Sequence, residues 1–173
     1  MIDTAAFKKT MRQLASGVFV ITTQLEGRPH ATTATAVLPL SAEPPLLLVC
    51  MHRESDTHRA LSHAARFGVN MLSSSQVALS RRFAGKTHER YRFEDVPSFD
   101  GPHRCVLFHD CIVHIEVETE SMTAGGDHTI FTGRVLWLQA DARLAPLVYH
   151  RGDHHVLQSF EALDLAKRVR LAD

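Results

Sequence analysis

Phe7, Met11 and Leu14 recur on one stripe after Asp3 and Thr4, which predicts a capped N-terminal helix with Gly17 as its stop. Val18 to Thr23 reads as a strand, Glu26-Gly27-Arg28-Pro29 as a turn, and His30 to Leu38 as the partner strand. Ser41 to Pro45 breaks that ladder, because proline donates no backbone hydrogen bond. Leu46 to Met51 is apolar throughout, the pattern of a strand buried on both faces.

Further along, Thr57 to Ala65 predicts a helix and Phe67 to Leu72 a strand. Ser73 or Ser74 caps a helix that runs through Phe83 to Gly85. Lys86 to His103 is polar and punctuated by proline and glycine, a long surface loop. From Cys111 to Thr119 the alternation is regular: Val113, Ile115 and Val117 share one face, His114, Glu116 and Glu118 the other. Ala124-Gly125-Gly126-Asp127 is a turn signal and His128 to Gln139 a further strand. Pro146 to His150 and His155 to Gln158 are short extended pieces, and Phe160 to Arg170 is a closing helix with a basic last turn. Six or seven strands, two or three short helices and no regular β-α alternation predict a mainly β fold, an antiparallel barrel with peripheral helices. With no repeat and no linker, residues 1–173 read as one domain.

Composition narrows the function classes. Nineteen basic residues balance nineteen acidic ones, so no general attraction to nucleic acid or to an anionic membrane is expected, and a bound anion needs a local cluster. Three cysteines (Cys50, Cys105, Cys111) are too few and odd in number for a disulfide scaffold. The N-terminal pattern is not that of a signal peptide, and no apolar run is long enough for a membrane span, so a cytoplasmic protein is expected. Twelve histidines are scattered along the chain. His103, Cys105, His109, Cys111 and His114 lack the spacing of a zinc signature, so buried thiols and surface histidines are expected there, not a metal.

Two stretches stand out chemically. Ala31-Thr32-Thr33-Ala34-Thr35-Ala36 is a strand of small side chains, suited either to a tight sheet crossing or to a flat aromatic ligand lying on an accessible backbone. His52-Arg53-Glu54-Ser55-Asp56-Thr57-His58-Arg59 follows a buried strand and opens a helix, so it reads either as a phosphate cradle or as a plain helix cap. Arg81-Arg82 with Lys86, His88, Arg90 and Arg92 forms a basic run, fit to guide phosphates or simply solvated. Trp137 sits in an alternating apolar strand and reads as core.

The order of segments resembles the short-chain flavin reductases, the reductase components of two-component flavin-dependent monooxygenases. The matching pieces are ASGVFVITT (15–23), HATTATAVLPLSAEPPLLLVC (30–50), SDTH (55–58), FGVNMLSSSQVALSRRFAG (67–85), GGDHTIFTGRV (125–135), and PLVY (146–149) followed by RG (151–152). The resemblance implies an antiparallel FMN-binding split β-barrel, a homodimer, FMN or FAD held without covalent attachment, and NADH or NADPH as co-substrate. It implies that Thr33, Ala34, Thr35 and Ala36 meet the isoalloxazine ring. Cys50, Ser55 and Thr57 would follow the ribityl and phosphate path, with Arg53 or His58 as charge partners. Phe83, Ala84 and Gly85 would border the ribityl or adenine side. His128 would sit where the nicotinamide stacks, as the catalytic-site residue, with Tyr149 lining the same mouth. Ala34 and Ala36 stand where many relatives carry serine, and His52 where many carry asparagine. The implied activity is NAD(P)H:flavin oxidoreduction that supplies reduced flavin to a separate monooxygenase. A non-catalytic flavin-binding protein and an FMN electron-transfer protein on the same fold are the rival readings.

Overall fold

The computed structural model describes residues 2–85 and 93–159. In chain order its elements are α1 (Thr4–Met11), β1 (Ser16–Gly17), β2 (Phe19–Leu25), β3 (Arg28–Ala34), β4 (Val37–Ala42), β5 (Pro45–His52), α2 (Asp56–Leu61), β6 (Arg66–Met71), α3 (Val77–Ala84), β7 (Ser98–Asp100), β8 (Val106–Phe108), β9 (Val113–Gly125), β10 (His128–Ala140), β11 (Leu147–His150) and β12 (Asp153–Val156). The expected closing helix from Phe160 and the basic residues Lys86, His88, Arg90 and Arg92 lie outside the described residues.

Seven strands form one sheet in the order β3-β2-β6-β9-β10-β5-β4. Every pairing in it is antiparallel. β3 and β4 are therefore the two edges, yet the chain leaves β3 at Ala34 and enters β4 at Val37. Three residue steps reach about 10 Å at most, so the two edges must face each other. The sheet is thus rolled into a barrel that stays split along the β3–β4 seam. The expected single strand from His30 to Leu38 is accordingly two strands, divided at Thr35-Ala36 where the chain crosses the seam.

Local chemistry sets the hairpins. Glu26 (φ 52°) and Gly27 (φ 73°) make a two-residue loop of left-handed residues between Leu25 and Arg28, the turn whose twist suits an antiparallel pair. The Ser41–Pro45 break is tighter than expected: β4 runs to Ala42, and Pro45 opens β5, where a strand tolerates proline. Nor is β5 buried on both faces. Leu47, Val49 and Met51 are buried, whereas Leu46, Leu48 and Cys50 are half-buried.

The sheet has an apolar layer on each side. Ile21, Leu47, Val49, Phe67, Val69, Val117 and Phe131 pack inside the barrel, and Val18, Val20, Leu72, Phe83, Phe108 and Leu147 pack outside it. Each fully buried side chain of this size contributes about 2–3 kcal/mol. Asp3 caps α1 by accepting from the Ala6 amide, but α1 buries no residue; Phe7 is 54% exposed, and Leu14, which lies past the end of the helix and not on it as expected, is 64% exposed. α3 begins after Gln76 without a side-chain cap, because the Gln76 amide oxygen accepts from Ser73 N–H and Cys111 Sγ instead. The last part of the expected loop pairs with the residues that follow it in a small hairpin, β7 against β8. Within β9, Glu116 departs from the expected alternation and is fully buried beside Val117.

Candidate functional site

The seam between the sheet edges holds a cavity of about 230 Å³ lined by Thr32, Thr33, Ala34, Thr35, Ala36, Cys50, Met51, His52, Ser55 and His128. One wall is β3 with its crossing residues, which as an edge strand is paired only on its β2 side. Half of such a strand's backbone ladder is available to something other than a strand. Small side chains keep that backbone within reach; Thr33 donates its hydroxyl proton to the Ser80 carbonyl of α3 at 2.7 Å, leaving main-chain groups and an accepting hydroxyl oxygen as its polar contribution. The facing wall is the end of β5, where the β4–β5 ladder runs one rung further because Cys50 N–H donates to the Ala36 carbonyl at 2.9 Å.

The rim is built from two turns that meet in register. His128 opens β10 opposite His52 at the end of β5, and Arg53 N–H donates to the Asp127 carbonyl at 3.0 Å. Gly126 (φ 68°) takes the left-handed conformation that the tight β9–β10 turn requires. On this rim the His128 Nδ1–H donates to Asp127 Oδ1 at 2.7 Å, and the His52 ring stands edge-on to His128 with centroids 5.2 Å apart. Asp127 is held below the usual carboxylate range, first by the hydrogen bond from His128.

A second cavity of about 300 Å³ adjoins the first, sharing Thr33 and Thr35 with it. Val18, Ser80, Arg81, Ala84, Tyr149, Gly152, Asp153 and His154 complete its lining. Ser80 Oγ and His154 Nε2 are hydrogen-bonded at 2.9 Å, and the Tyr149 and His154 rings meet edge to face.

The structure thus gathers Thr33, Ala34, Thr35, Ala36, Cys50, Ser55 and His128 at one cavity, and Ala84 and Tyr149 at the adjoining one with Thr33 and Thr35. Tyr149 does not share the His128 mouth. Five expected site residues line neither cavity. Arg53 is exposed in the turn before α2. Thr57 is buried within α2. His58 turns to Thr129, with Nε2 2.8 Å from its hydroxyl and its ring edge-on to Phe131. Its pKa is lowered by burial first, then by Arg53 and His52, so it is a poor cation for a phosphate. Phe83 is core, stacked on Phe108 at 5.1 Å. Gly85 closes α3. Ser55 is chiefly a helix cap: its Oγ accepts from His58 N–H and donates to the His52 carbonyl, both at 3.0 Å.

Sequence reasoning missed Ser80 and His154 as lining residues. Ser80 stands four residues before Ala84, so helical spacing already put the two on one face; nothing local signals His154. Cys105 and Cys111 are buried thiols pushed up to about 12, chiefly by burial, with the Glu116 charge adding to the shift at Cys105. His114 bonds the Phe108 carbonyl. Among the described residues no group of three or more His, Cys, Asp or Glu side chains is arranged to hold a metal.

Comparison with known proteins places the site in context. Residues 11–158 match the sequence model of the flavin reductase like domain. The chain is 35% identical over 155 residues to an NADH-dependent FMN reductase, AsuE2, of Streptomyces nodosus subsp. asukaensis, covering 88% of this chain and 84% of that protein. It is 32% identical to the reductase component of 4-nitrophenol 4-monooxygenase/4-nitrocatechol 2-monooxygenase of Rhodococcus opacus, covering 87% and 80% respectively. The solved structure of flavin reductase PheA2 in its native state superposes with a TM-score of 0.84 at 30% identity, covering 91% of this chain and all of that one.

Proposed function

The chain belongs to the flavin reductase like domain family, and on that premise we propose how its cleft carries out the reaction. It is an NAD(P)H-dependent flavin reductase that passes hydride from reduced nicotinamide to FMN or FAD and supplies reduced flavin to a monooxygenase. Flavin, when bound, would supply the electron sink for the hydride of the reduced nicotinamide. The protein's own contribution is position, because holding two rings in contact removes most of the entropic part of the barrier.

Thr33 to Ala36 would form the floor for the ring, with main-chain groups to offer its polar edge. Cys50 and Ser55 border the chain leading from the ring. Arg53, exposed in the turn between His52 and Ser55, would be the cation near this end of the cleft for a phosphate, since His58 is committed to Thr129. His128 stands on the rim, at the position for the nicotinamide. The observation that carries this reading is the join of an Ala/Thr edge strand to the Gly-Asp-His turn across one cavity. Following nicotinamide absorbance with NADH or NADPH and with FMN, FAD or riboflavin tests it. Oxidation that depends on added flavin is expected, and nicotinamide left intact beside bound flavin would favour a non-catalytic binder.

We read residues 1–173 as one domain, supported by the single sheet spanning β2 to β10 and by β1 pairing with β11. A homodimer is supported by apolar side chains left bare on the single chain, Phe7, Leu14, Leu38 and Leu138 among them. A cytoplasmic location is in keeping with free cysteines; no helix of the described residues is long and apolar enough to cross a membrane.

A further inference from the structure

His128 has two ring nitrogens, and the structure commits one of them. A carboxylate can only accept, so the 2.7 Å contact to Asp127 Oδ1 puts the proton on His128 Nδ1. Nε2 is then the nitrogen left for a ligand at the cavity. The neighbouring ring is fixed too: His52 Nδ1 accepts from Glu54 N–H at 3.3 Å, which places its own proton on Nε2, 4.0 Å from Asp127 Oδ2. Both imidazoles therefore turn an N–H toward one carboxylate, and the His52 ring limits the swing of His128 from the side. The other charged groups around this rim are Arg53 and Glu54 in the same turn and His58 on α2.

We propose that Asp127 is a positioning residue that holds His128 with its proton on Nδ1, so that Nε2 accepts a hydrogen bond from the carboxamide of the reduced nicotinamide, with His52 as a lateral wall. The proposal rests on reading the cleft as the nicotinamide–flavin site. A reduced nicotinamide brings a carboxamide N–H donor, and its ring becomes a cation when the C4–H bond breaks and hydrogen and both electrons pass to the flavin. An acceptor nitrogen backed by a carboxylate suits both states, the first by hydrogen bonding and the second by charge sign. Asp127 itself is exposed and does not line the cavity.

Two substitutions separate tautomer from charge. Asp127→Asn keeps an acceptor for Nδ1–H but loses the charge, and Asp127→Ala loses both. Nitrogen-15 imidazole shifts of histidine-labelled, flavin-free protein, with the His128 signals assigned from His128→Gln, report the tautomer without any turnover. Single-turnover flavin reduction by NADH reports the consequence, with flavin affinity measured alongside. We expect the Nδ1–H signature in wild type and Asp127→Asn and its loss in Asp127→Ala. We also expect reduction slowed about tenfold in Asp127→Ala, within threefold of wild type in Asp127→Asn, and flavin affinity unchanged in both. An Nε2–H signature in wild type, an Asp127→Ala rate within twofold of wild type, or equal losses in the two variants would overturn the proposal. A wild type that shows the Nδ1–H signature but oxidises no NADH would contradict the functional reading and with it the nicotinamide contact, leaving Asp127's hold on His128 established by the nitrogen shifts alone.

Discussion

Among single residues, Glu116 shows how far a side chain can depart from its sequence pattern. Alternation along β9 puts it with His114 and Glu118 on the outer face, yet it is fully buried and accepts from His103 N–H and Cys105 N–H at 2.9–3.0 Å. Its donors come from a loop eleven to thirteen positions upstream, which no local periodicity registers. Glu116→Ala leaves those amides unpaired, and chemical denaturation should show a loss of roughly 3 kcal/mol. Gly101→Ala should also destabilise, because a Cβ there would lie 2.5 Å from the Glu116 carboxylate. Cysteine reactivity offers a second check. Cys105 and Cys111, kept protonated by burial, should resist alkylation at pH 8 in the native protein. Cys50 lines the cavity, so whatever alkylation it undergoes should be slowed by added flavin. His58 sets a pH dependence whose sign follows from its lowered pKa. The unfolded chain binds the proton more readily, so the stability present above the unfolded value of about 6.5 is lost as pH falls through the lower folded value. Replacing His58 with Gln should flatten that acid limb in thermal melts across pH 7 to 5, and an unchanged slope would contradict the assignment.

Secondary-structure elements were legible where their pattern is local and less so where partners decide. The β2–β3 hairpin, the β9–β10 turn and the placing of α2 and β6 follow from turn residues and periodicity. The division of one expected strand into β3 and β4 does not, because Thr35 and Ala36 fit a strand and only the closing of the barrel makes them a crossing. That crossing is what forms the ligand cleft. Ala36 is exposed and its carbonyl serves the β4–β5 ladder through the backbone alone, so Ala36→Trp should leave the fold intact by circular dichroism while weakening flavin binding at least tenfold. Unchanged affinity would move flavin out of this cleft. The start of α2 carries a different expectation. Ser55 caps the helix, so Ser55→Ala should cost about 1 kcal/mol of stability, read from denaturation midpoints, whatever it does to flavin. The resemblance to flavin reductases brought Thr57, His58 and Phe83 to the site by neighbourhood in the sequence, whereas α2 and α3 bury Thr57 and Phe83 and turn the half-buried His58 to Thr129.

For the whole molecule, the rolled sheet accounts for both the apolar interior and the site. Strands that fill the barrel on one face support α3 and the β7–β8 hairpin on the other, and the one seam left unpaired is the cleft. The bare apolar stripe of α1 was legible in the sequence as amphipathic, but what it packs against was not, since a single chain buries none of it. If a second copy covers it, light scattering should give twice the chain mass, and Phe7→Glu with Leu14→Glu should lower it toward the monomer. The central claim is that nicotinamide reduces flavin in the β3–β4 cleft, and anaerobic mixing of NADH with flavin-loaded protein tests it most directly. Rapid bleaching of the flavin by wild type, lost in Ala36→Trp at matched flavin concentration, is the predicted result. Bleaching that persists in Ala36→Trp, or none in wild type with flavin bound, would contradict it.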